Sequence, residues 1–416
     1  MFQSLALIAI LAGAPALADA QDPAAAPPPA SASPIDWTVA RAAVATLDVL
    51  APGGTLLRQT HGISLGDPPR ILTRYSVLAG SERVVATFPG RMPVAAWKMT
   101  AADTTNDIAV LLPEAPIPEP PPPATYIRWW YAKVYVMPTP AERDTAILAF
   151  VNEPLTIGKL RVIPLSGNHA AGLPVMDVQG NWIGLTGRIE DATGTFSYVT
   201  GSEDVVPVLF GPQAEVPLTR IPASFVWCSP KSAEGMLVRA VLRAHEKPGD
   251  AGPFFQLALK RDPGMPETYY WMGMVDFRTQ RFSDAESSFV QAGRLRPGWA
   301  LPFHMAGAAA NQQGHYQIAI DHYDHALAID PRSAMTLNNK AGSLYNLHRT
   351  SEAMDILNQA IAADSTYAPA YQMLGAAYLA TGRRDEAERI YQKLLTLDTR
   401  TANNLRVLLD QDSKKN

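Results

Sequence analysis

The sequence has almost no cysteine: Cys228 is the only one in 416 residues. A lone thiol cannot close an internal disulfide, and no cysteine-based metal box can form around it. Neither charge sign dominates, since 35 basic residues stand against 39 acidic ones and the formal net charge is −4. A binder of nucleic acid or of an anionic membrane would carry a basic excess. With no glycine-rich phosphate loop either, we expect no cofactor, no resident metal and no nucleic-acid partner.

Long apolar runs are also lacking beyond the first residues. Leu5 to Leu11 forms the apolar part of residues 1–20, and small residues follow at Ala16, Ala18 and Ala20. This pattern is typical of a secretory signal peptide cleaved after Ala18 or Ala20. The run is too short to span a bilayer as an anchor. We therefore expect an exported protein, periplasmic or secreted, with no membrane span after cleavage.

The sequence does contain a 34-residue repeat in its C-terminal part. Each copy has a small residue, then alanine twelve positions later, then a large apolar residue four positions after that. The three positions are held by Gly273, Gly307, Ala341 and Gly375, by Ala285, Ala319, Ala353 and Ala387, and by Phe289, Tyr323, Leu357 and Tyr391. This pattern resembles the tetratricopeptide repeat, a helix–turn–helix unit that stacks into a solenoid.

The resemblance implies an all-α solenoid over residues 229–412, with about five repeats and a polar tail at 413–416. The first copy, before Pro266, is degenerate because its first half lacks the glycine. Four short polar turns are predicted between the paired helices, at residues 279–281, 313–315, 347–349 and 381–383.

The concave face of such an array is the candidate binding surface, since the first helix of each repeat lines it. The predicted partner-binding residues are Tyr270, Met274, Phe277, Arg278, His304, Asn311, Gln312, Asn338, Tyr345 and Gln372. Arg278 is the only cation among them, so the clamp for a C-terminal carboxylate that the resemblance would imply is absent. Aromatic, methionine and amide side chains suit an extended or helical peptide from a protein partner. The alternative for each residue is packing between repeats.

The region before the array predicts a different fold class. Residues 21–34, rich in alanine and proline, form a predicted spacer, and short apolar alternations follow between Asp36 and Leu209. These alternations, broken by glycine, proline and aspartate, predict an all-β barrel or sandwich. Pro116 to Pro123 forms a proline-rich linker that divides the β region into halves.

Three segments of the β region resemble the trypsin-like serine proteases, in particular the HtrA-type branch. Residues 71–80 resemble the strand and turn that present the catalytic histidine, and residues 106–111 the segment with the catalytic aspartate. Residues 171–177 with 180–184 resemble the nucleophile loop and the strand after it. The resemblance implies a two-barrel all-β domain over residues 35–228, with residues 116–123 between the barrels.

The catalytic residue types are missing at two of the three corresponding positions. Ser76 stands at the histidine position and Ala171 at the nucleophile position, so only Asp107 matches. Acyl transfer needs a hydroxyl, an imidazole base and an orienting carboxylate, and losing one member costs about 10⁴-fold or more. His169 also stands where the family has a glycine. We expect a pseudoprotease that acts as a protein-binding adaptor.

Two alternatives remain open. A loop shift would bring Ser166 forward to pair with His169, giving an active serine-type endopeptidase that the repeats recruit to substrates. The other alternative is assembly, in which the array docks the chain into a larger complex.

Two further clusters were considered as sites. His322 and His325 share one helix face near Asp321 and Asp324, but such outer-face residues are ordinarily solvated, so no metal site is predicted. Residues 129–131, an aromatic trio, are expected to supply core and one exposed ring.

Overall fold

The protein is described from a computed structural model. It describes residues 42–65, 69–95, 97–117, 133–137, 147–150, 155–157, 160–166, 169–177, 182–191, 194–201 and 231–413, with single positions at 204, 208, 217, 218, 221 and 229. The predicted signal peptide and spacer (1–34), residues 118–123 and 129–131, Cys228 and residues 414–416 lie outside the described residues. Among the residues described, no helix is both long enough and apolar enough to cross a membrane.

The chain divides into two compact units, one within residues 22–263 and one from Gly264 onwards. The first unit contains two antiparallel sheets. Sheet one has six strands in the order β4-β1-β2-β3-β6-β5. The strands are β1 (Val44–Leu50), β2 (Leu56–Leu65), β3 (Arg70–Thr73), β4 (Arg83–Thr87), β5 (Trp97–Asp103) and β6 (Ile108–Pro113).

Sheet two has seven strands in the order β8-β7-β11-β12-β13-β10-β9. The strands are β7 (Lys133–Val136), β8 (Ile147–Phe150), β9 (Leu155–Ile157), β10 (Leu160–Pro164), β11 (Pro174–Met176), β12 (Trp182–Asp191) and β13 (Gly194–Gly201). The predicted β region is therefore confirmed.

A shared core joins the two sheets. Ile63 and Leu72 of sheet one pack in one buried cluster with Met176 and Trp182 of sheet two. A second cluster, around Phe88, lies on the other face of sheet one. In β1, Ala45, Leu47 and Val49 all join the cluster around Phe88, which is the period of two that a strand requires.

Among its described residues, the first unit also contains the helices α1 (Ala233–Glu246) and α2 (Gly252–Arg261). Ser232 caps α1, because its hydroxyl accepts the Gly235 N–H at 2.9 Å. Ten of the fourteen residues of α1 are buried, so neighbouring elements cover most of its surface. Residues 229–263, predicted as the degenerate first repeat, thus belong to the unit that holds the β sheets.

The second unit is a stack of antiparallel helix pairs. The pairs are α3 (Pro266–Arg278) with α4 (Phe282–Leu295), α5 (Ala300–Gln312) with α6 (Tyr316–Ile329), α7 (Ala334–Asn346) with α8 (Thr350–Ala363) and α9 (Ala368–Ala380) with α10 (Arg384–Leu395), closed by α11 (Thr399–Ser413). The four turns between paired helices occupy the predicted residues.

The small residues of the repeat are required by close packing. A Cβ atom added at Gly273 would lie 2.7 Å from the Phe289 ring, and one at Gly307 would lie 2.6 Å from the Tyr323 ring. In these two helix pairs, the large aromatic residue therefore occupies the space that a side chain would need at the glycine. The predicted helical repeat is confirmed.

Candidate functional site

Asp107 and Ser76 meet at the end of the first sheet. Ser76 begins a short 3₁₀ turn (Ser76–Leu78) that follows β3, and Asp107 precedes β6. The Ser76 hydroxyl donates to Asp107 Oδ2 at 2.8 Å, and the Ser76 N–H donates to Oδ1 at 2.6 Å. The Tyr198 hydroxyl also donates to Oδ2, at 3.3 Å. Both carboxylate oxygens are thus already engaged within the protein.

Asp107 is buried and has a strained backbone conformation. The residue is 2% exposed, and its φ of 58° lies in the left-handed region that non-glycine residues rarely adopt. Burial raises the pKa of the Asp107 carboxyl, while the charge of Arg74 and the hydrogen bonds from Ser76 and Tyr198 oppose that rise.

Arg74 connects this carboxylate with the second sheet. Its guanidinium donates to the carbonyls of Thr186, at 3.0 Å, and Leu185 and lies 4.8 Å from the centre of the Tyr198 ring. Arg74 is 1% exposed, so this cation is a buried link between sheets. Removing one hydrogen-bond partner of a buried charged group strongly destabilises a fold. The cluster of Arg74, Ser76, Asp107 and Tyr198 holds the junction together.

Ala171 lies in a loop that is fixed to β2. The Thr60 hydroxyl donates to the Ala171 carbonyl at 3.3 Å, and the Gly172 N–H donates to the Thr186 carbonyl at 2.8 Å. Gly172 has a φ of 81°, and a Cβ there would lie 2.1 Å from the His61 carbonyl oxygen. The loop is therefore held in a backbone conformation that only glycine permits, and position 171 offers a methyl group and no hydroxyl.

His169 is engaged by its own neighbours. Its N–H donates to the Ser197 hydroxyl at 2.9 Å, and its Nε2 donates to the Ser166 carbonyl oxygen at 2.8 Å. A carbonyl only accepts, so Nε2 carries the proton. Burial lowers the pKa of the His169 imidazole. The structure thus brings Ser166 and His169 together, but the bond joins the imidazole to the backbone of Ser166 and not to its hydroxyl.

His61 occupies the middle of β2. Its backbone carbonyl oxygen accepts a hydrogen bond from the Thr73 hydroxyl at 2.8 Å. The same carbonyl lies beside Gly172, where it leaves no space for a Cβ atom. Arg74 and Tyr198 were not foreseen as members of the Asp107 cluster. The available signal was an arginine directly after the apolar residues of β3, because a charge in that setting needs buried partners.

The array positions five predicted partner-binding residues inside the helix packing. Tyr270, Met274, His304, Asn311 and Asn338 are each at most 8% exposed. Tyr270 packs on the rings of Phe289 and Trp299, with centroids 5.7 and 5.0 Å apart. The physical reason is the close approach of neighbouring repeats, which covers these positions. Their burial favours the alternative of packing between repeats, and their predicted role in partner binding stays a prediction.

His304 and Asn338 belong to one buried polar cluster between α5 and α7. His304 Nδ1 lies 3.0 Å from the Thr336 hydroxyl oxygen, and the Asn339 amide nitrogen lies 3.4 Å from His304 Nε2. Asn338 donates to the Asn339 side-chain oxygen at 3.3 Å. Burial lowers the pKa of His304 to about 4, so this imidazole is neutral near pH 7.

The remaining predicted residues keep accessible side chains. Arg278 and Gln312 are exposed, and Phe277, Tyr345 and Gln372 are half-buried. Phe277 contacts Phe282 across the helix turn, with ring centroids 5.3 Å apart. These five residues form the accessible groove set.

His322 and His325, the two histidines on one helix face, contact residues of neighbouring helices. His322 Nε2 lies 3.1 Å from Glu286 of α4, and the ring of His325 lies 5.6 Å from that of Phe303. Within the described residues, no group of three or more histidine, cysteine, aspartate or glutamate side chains is arranged to hold a metal.

Comparison with known families identifies the array. A tetratricopeptide repeat family model matches residues 344–403. The Hsp70-Hsp90 organizing protein of Triticum aestivum is 32% identical over 92 residues, covering 22% of this chain and 16% of the relative. A DnaJ homolog subfamily C member 7 homolog of Schizosaccharomyces pombe is 29% identical over 180 residues, covering 42% of this chain and 33% of the relative. The chain thus spans a third or less of the length of these relatives.

Two solved structures are similar to part of the chain. A crystal structure of MamA is 24% identical, covering 39% of this chain and 96% of that one, with a TM-score of 0.36. The crystal structure of the Rv3671c protease from M. tuberculosis, active form, is 22% identical, covering 47% of this chain and 94% of that one, with a TM-score of 0.36.

Proposed function

We propose that this chain is an exported protein-binding adaptor: its tetratricopeptide array binds a peptide segment of a partner, and its β region is a catalytically inactive, two-barrel trypsin-like domain. The observation that carries the inactive assignment is the bond from the Ser76 hydroxyl to Asp107. In an active enzyme, the aspartate oxygen accepts a hydrogen bond from the imidazole and orients it. Here Asp107 Oδ2 accepts the hydrogen bond of the Ser76 hydroxyl instead. A serine side chain cannot replace that base near neutral pH.

One residue type and one contact also support the loss of catalysis. Position 171 carries a methyl group, and the His169 N–H, which would face a developing oxyanion if the resemblance held, is bound by Ser197 at 2.9 Å. Nucleophile, base and one oxyanion donor are therefore all missing together.

The activity test uses the mature chain with unfolded casein and a fluorophosphonate probe. We expect neither cleavage nor labelling above a heat-denatured control. Labelling at Ser166, and cleavage that disappears in Ser166→Ala, would replace this assignment with the serine-endopeptidase alternative.

The binding role of the array rests on its accessible groove set. The co-chaperone-type relatives support a scaffold role, and amide and aromatic side chains suit a peptide. A variant with Gln312→Ala, Tyr345→Phe and Gln372→Ala removes accessible polar groups and keeps the Tyr345 ring, which packs against the core of the array. Substituting Tyr270 or His304 instead would confound binding with lost packing.

A pull-down with mass spectrometry from the native source identifies the partner. We expect the triple groove variant to lose it, and a matched variant with Gln317→Ala, Asn358→Ala and Gln359→Ala, all exposed on second helices, to keep it. Retention of the partner by the groove variant at unchanged thermal stability would show that binding occurs elsewhere.

Export is tested on the protein isolated from the cell. Cleavage after Ala18 or Ala20 would leave a mature chain beginning at Asp19 or Gln21. Intact-mass measurement of the fraction outside the inner membrane should give one of these termini; a chain still beginning at Met1 would remove the export proposal.

A further inference from the structure

Two first helices of the array, α7 and α9, present an uncharged face. Matching positions on the two helices differ by one repeat, and residues that follow each other at three and then seven positions lie on one side of a helix. The two helices contact each other, so their matching sides adjoin. We name this surface the neutral face; it consists of Met335, Asn338 and Tyr345 of α7 and Pro369, Gln372 and Leu379 of α9. No member carries a formal charge.

Most of the neutral face is open to solvent. Met335 is 41% exposed, and every other member except Asn338 is exposed or half-buried. Gly342 and Ala376 lie between the members on their helices and are buried. A hydrogen atom and a methyl group at these two positions let another backbone approach the helices closely. The face therefore combines accessible apolar and amide side chains with a floor of small residues.

Charged side chains are concentrated on other parts of the array. Helix α9 contains no aspartate, glutamate, lysine or arginine, and α7 contains only Lys340, whose ammonium lies 2.6 Å from Asp324 of α6. The second helices α8 and α10 carry exposed charges, such as Glu352 and Arg389. The lack of charge is therefore a property of this face. A charged group placed on it would lose contact with water and gain no opposite charge.

Asn338 supplies an unused hydrogen-bond acceptor on the same side of α7. The residue is 4% exposed, and its amide nitrogen donates to the Asn339 side-chain oxygen at 3.3 Å. The Asn338 side-chain oxygen itself accepts no hydrogen bond from the described part of the chain. A buried acceptor without a donor is costly. Because Gly342 follows one turn later, a backbone N–H of a segment seated on the small residues is a suitable donor.

We propose that the neutral face binds an uncharged, apolar segment of a partner protein, and that a backbone N–H of this segment donates to Asn338 Oδ1. Apolar side chains of the segment contact Met335 and the Tyr345 ring, and the Gln372 amide pairs with backbone groups. The proposal rests on the binding role of the array and names the class of segment that the array accepts.

Retention of peptide pools on the immobilised mature chain tests the preference for an uncharged segment. All peptides are acetylated and amidated decapeptides, so their termini carry no charge. The neutral pool contains alanine, leucine, phenylalanine, tyrosine, serine and glutamine at random, and the acidic and basic pools carry two glutamates or two lysines in the same background. We expect the neutral pool to be retained at least about tenfold more than either charged pool, because an unmatched charge opposes burial.

Salt provides a second readout of the same pools. Retention of the neutral pool should change by less than about twofold between low salt and about 500 mM NaCl, since screening acts on charges. Equal or greater retention of a charged pool, loss of retention at high salt, or retention of no pool above the blank matrix would overturn the proposal.

A lysine placed on the neutral face should change the preference. Met335→Lys adds a cation at an exposed position, so the ratio of acidic to neutral peptides retained should rise at least about fivefold. Ile318→Lys is the matched control, because Ile318 is 43% exposed but lies on α6, outside the neutral face. It should leave the ratio unchanged. An unchanged ratio in Met335→Lys, or an equal change in both variants, would place binding on another surface.

The hydrogen bond to Asn338 is tested by a double-mutant cycle. One arm is Asn338→Leu, which removes the acceptor, and the other is N-methylation of the neutral pool, which removes the backbone donors. N-methylation should reduce retention by the wild type at least about threefold more than retention by Asn338→Leu. A residue that only stabilises the fold would not change this ratio, so equal effects would contradict the proposed bond. Asn338→Ser, whose hydroxyl is shorter, serves if the leucine variant does not fold.

The partner pull-down separates this proposal from the adaptor role. If the triple groove variant loses the partner while a charged pool is preferred, only the uncharged segment is wrong. If that variant keeps the partner, the binding role of the array is wrong. Residues 23–34 of this chain are also uncharged. Retention of the neutral pool that rises at least about tenfold when these residues are deleted would assign the face to the chain's own segment and contradict a partner segment.

Discussion

Gly172 and Gly90 adopt similar left-handed backbones, with φ of 81° and 70°, but their surroundings differ. A Cβ at Gly172 would lie 2.1 Å from the His61 carbonyl oxygen, whereas a Cβ at Gly90 would have nothing within 4 Å. Gly90→Ala should therefore cost only the conformational penalty, about 1 kcal/mol. Gly172→Ala adds a backbone clash and should cost about 3 kcal/mol or more.

Urea unfolding of the β region measures both glycine variants. Hydrogen exchange of peptides from β2 and β12, followed by mass spectrometry along the urea series, reports that region separately from the helices of the array. Equal destabilisation by the two alanine substitutions would contradict this prediction. It would mean that the loop of residues 169–173 can move away from β2 at little cost in free energy.

His304 gives the array a pH dependence of defined sign. Its folded pKa of about 4 lies below the ordinary value of 6.5. As the pH falls below 6.5, His304 becomes protonated in the unfolded chain but stays neutral in the folded chain. The free energy of unfolding therefore decreases until about pH 4 and then levels off. The difference corresponds to about 3 kcal/mol across that window, with no contribution above pH 7.

The pH dependence is measured by urea unfolding of the array at pH 7, 5.5 and 4.5. In His304→Gln the slope between these values should become shallower, because the titrating group is gone. His315→Gln, at an exposed position, should keep the original slope. Identical slopes in the wild type and in His304→Gln would show that the imidazole is solvated in the folded state.

At the scale of the element, each turn between paired helices contains one left-handed residue. These residues recur with the 34-residue period as Gln280, Gly314, His348 and Gly382, with φ between 60° and 77°. A side chain in this conformation costs about 1 kcal/mol relative to glycine. His348→Gly should therefore stabilise the array by up to about 1 kcal/mol, and Gly314→Ala should destabilise it by a similar amount.

Thermal unfolding of the two turn variants checks this expectation. Gly298→Ala serves as the reference, because Gly298 lies outside the four turns and an added Cβ there has nothing within 4 Å. A melting temperature that falls in His348→Gly would indicate that the histidine side chain makes a compensating contact.

The repeat period predicted the helices and turns well because both depend on local sequence. Spacing of small and large residues determines which faces meet, and all four turns occur at the expected residues. Groove accessibility was harder to predict: Tyr270 and His304 share a repeat position with Gln372, yet only Gln372 remains half-exposed. Their burial depends on the size of side chains in the neighbouring repeat, which is tertiary information.

The Asp107 cluster also combines a feature that the sequence predicts with features that depend on tertiary packing. The pairing of Ser76 with Asp107 followed from the order of segments in the chain. The contributions of Arg74 and Tyr198 depend on how the second sheet packs against the first, and β-strand patterns do not specify that packing.

The closing helix α11 covers the last repeat. Leu405, Leu408 and Leu409 are buried against it, and Arg384 donates to the Leu409 carbonyl at 3.0 Å. Deleting residues 399–416 should cost on the order of 5 kcal/mol locally, since each buried leucine contributes about 1.5–3 kcal/mol. Because each repeat contacts only its neighbours, the loss should be confined to α9 and α10.

Amide hydrogen exchange followed by mass spectrometry locates the effect of this deletion. Protection should fall in residues 368–395 and stay unchanged in residues 266–329. Deletion of residues 414–416 alone is the control and should change neither. Loss of protection throughout the array would show that its repeats unfold as one cooperative unit.

At the scale of the whole molecule, the two compact units divide at residue 264 and not at the end of the β strands. Helix α1 contacts β10 and β13, and Met236, Leu237, Val238 and Val241 lie on different sides of it, all buried. Without the sheets, part of this buried apolar surface would face water, and exposed apolar surface of this kind drives aggregation. The repeat resemblance of residues 229–263 therefore does not make them part of an independently stable array.

Two fragments of the chain test this boundary. Residues 264–416 should give a monomer with a cooperative helical melt, whereas residues 229–416 should bind a hydrophobic dye and elute as oligomers in size-exclusion chromatography with light scattering. Restoring the β region in residues 35–416 should remove the dye binding. If residues 229–416 were instead a clean monomer and residues 264–416 were unfolded, α1 and α2 would be required to complete the first repeat. The compact boundary at residue 264 would then not correspond to an autonomous folding unit.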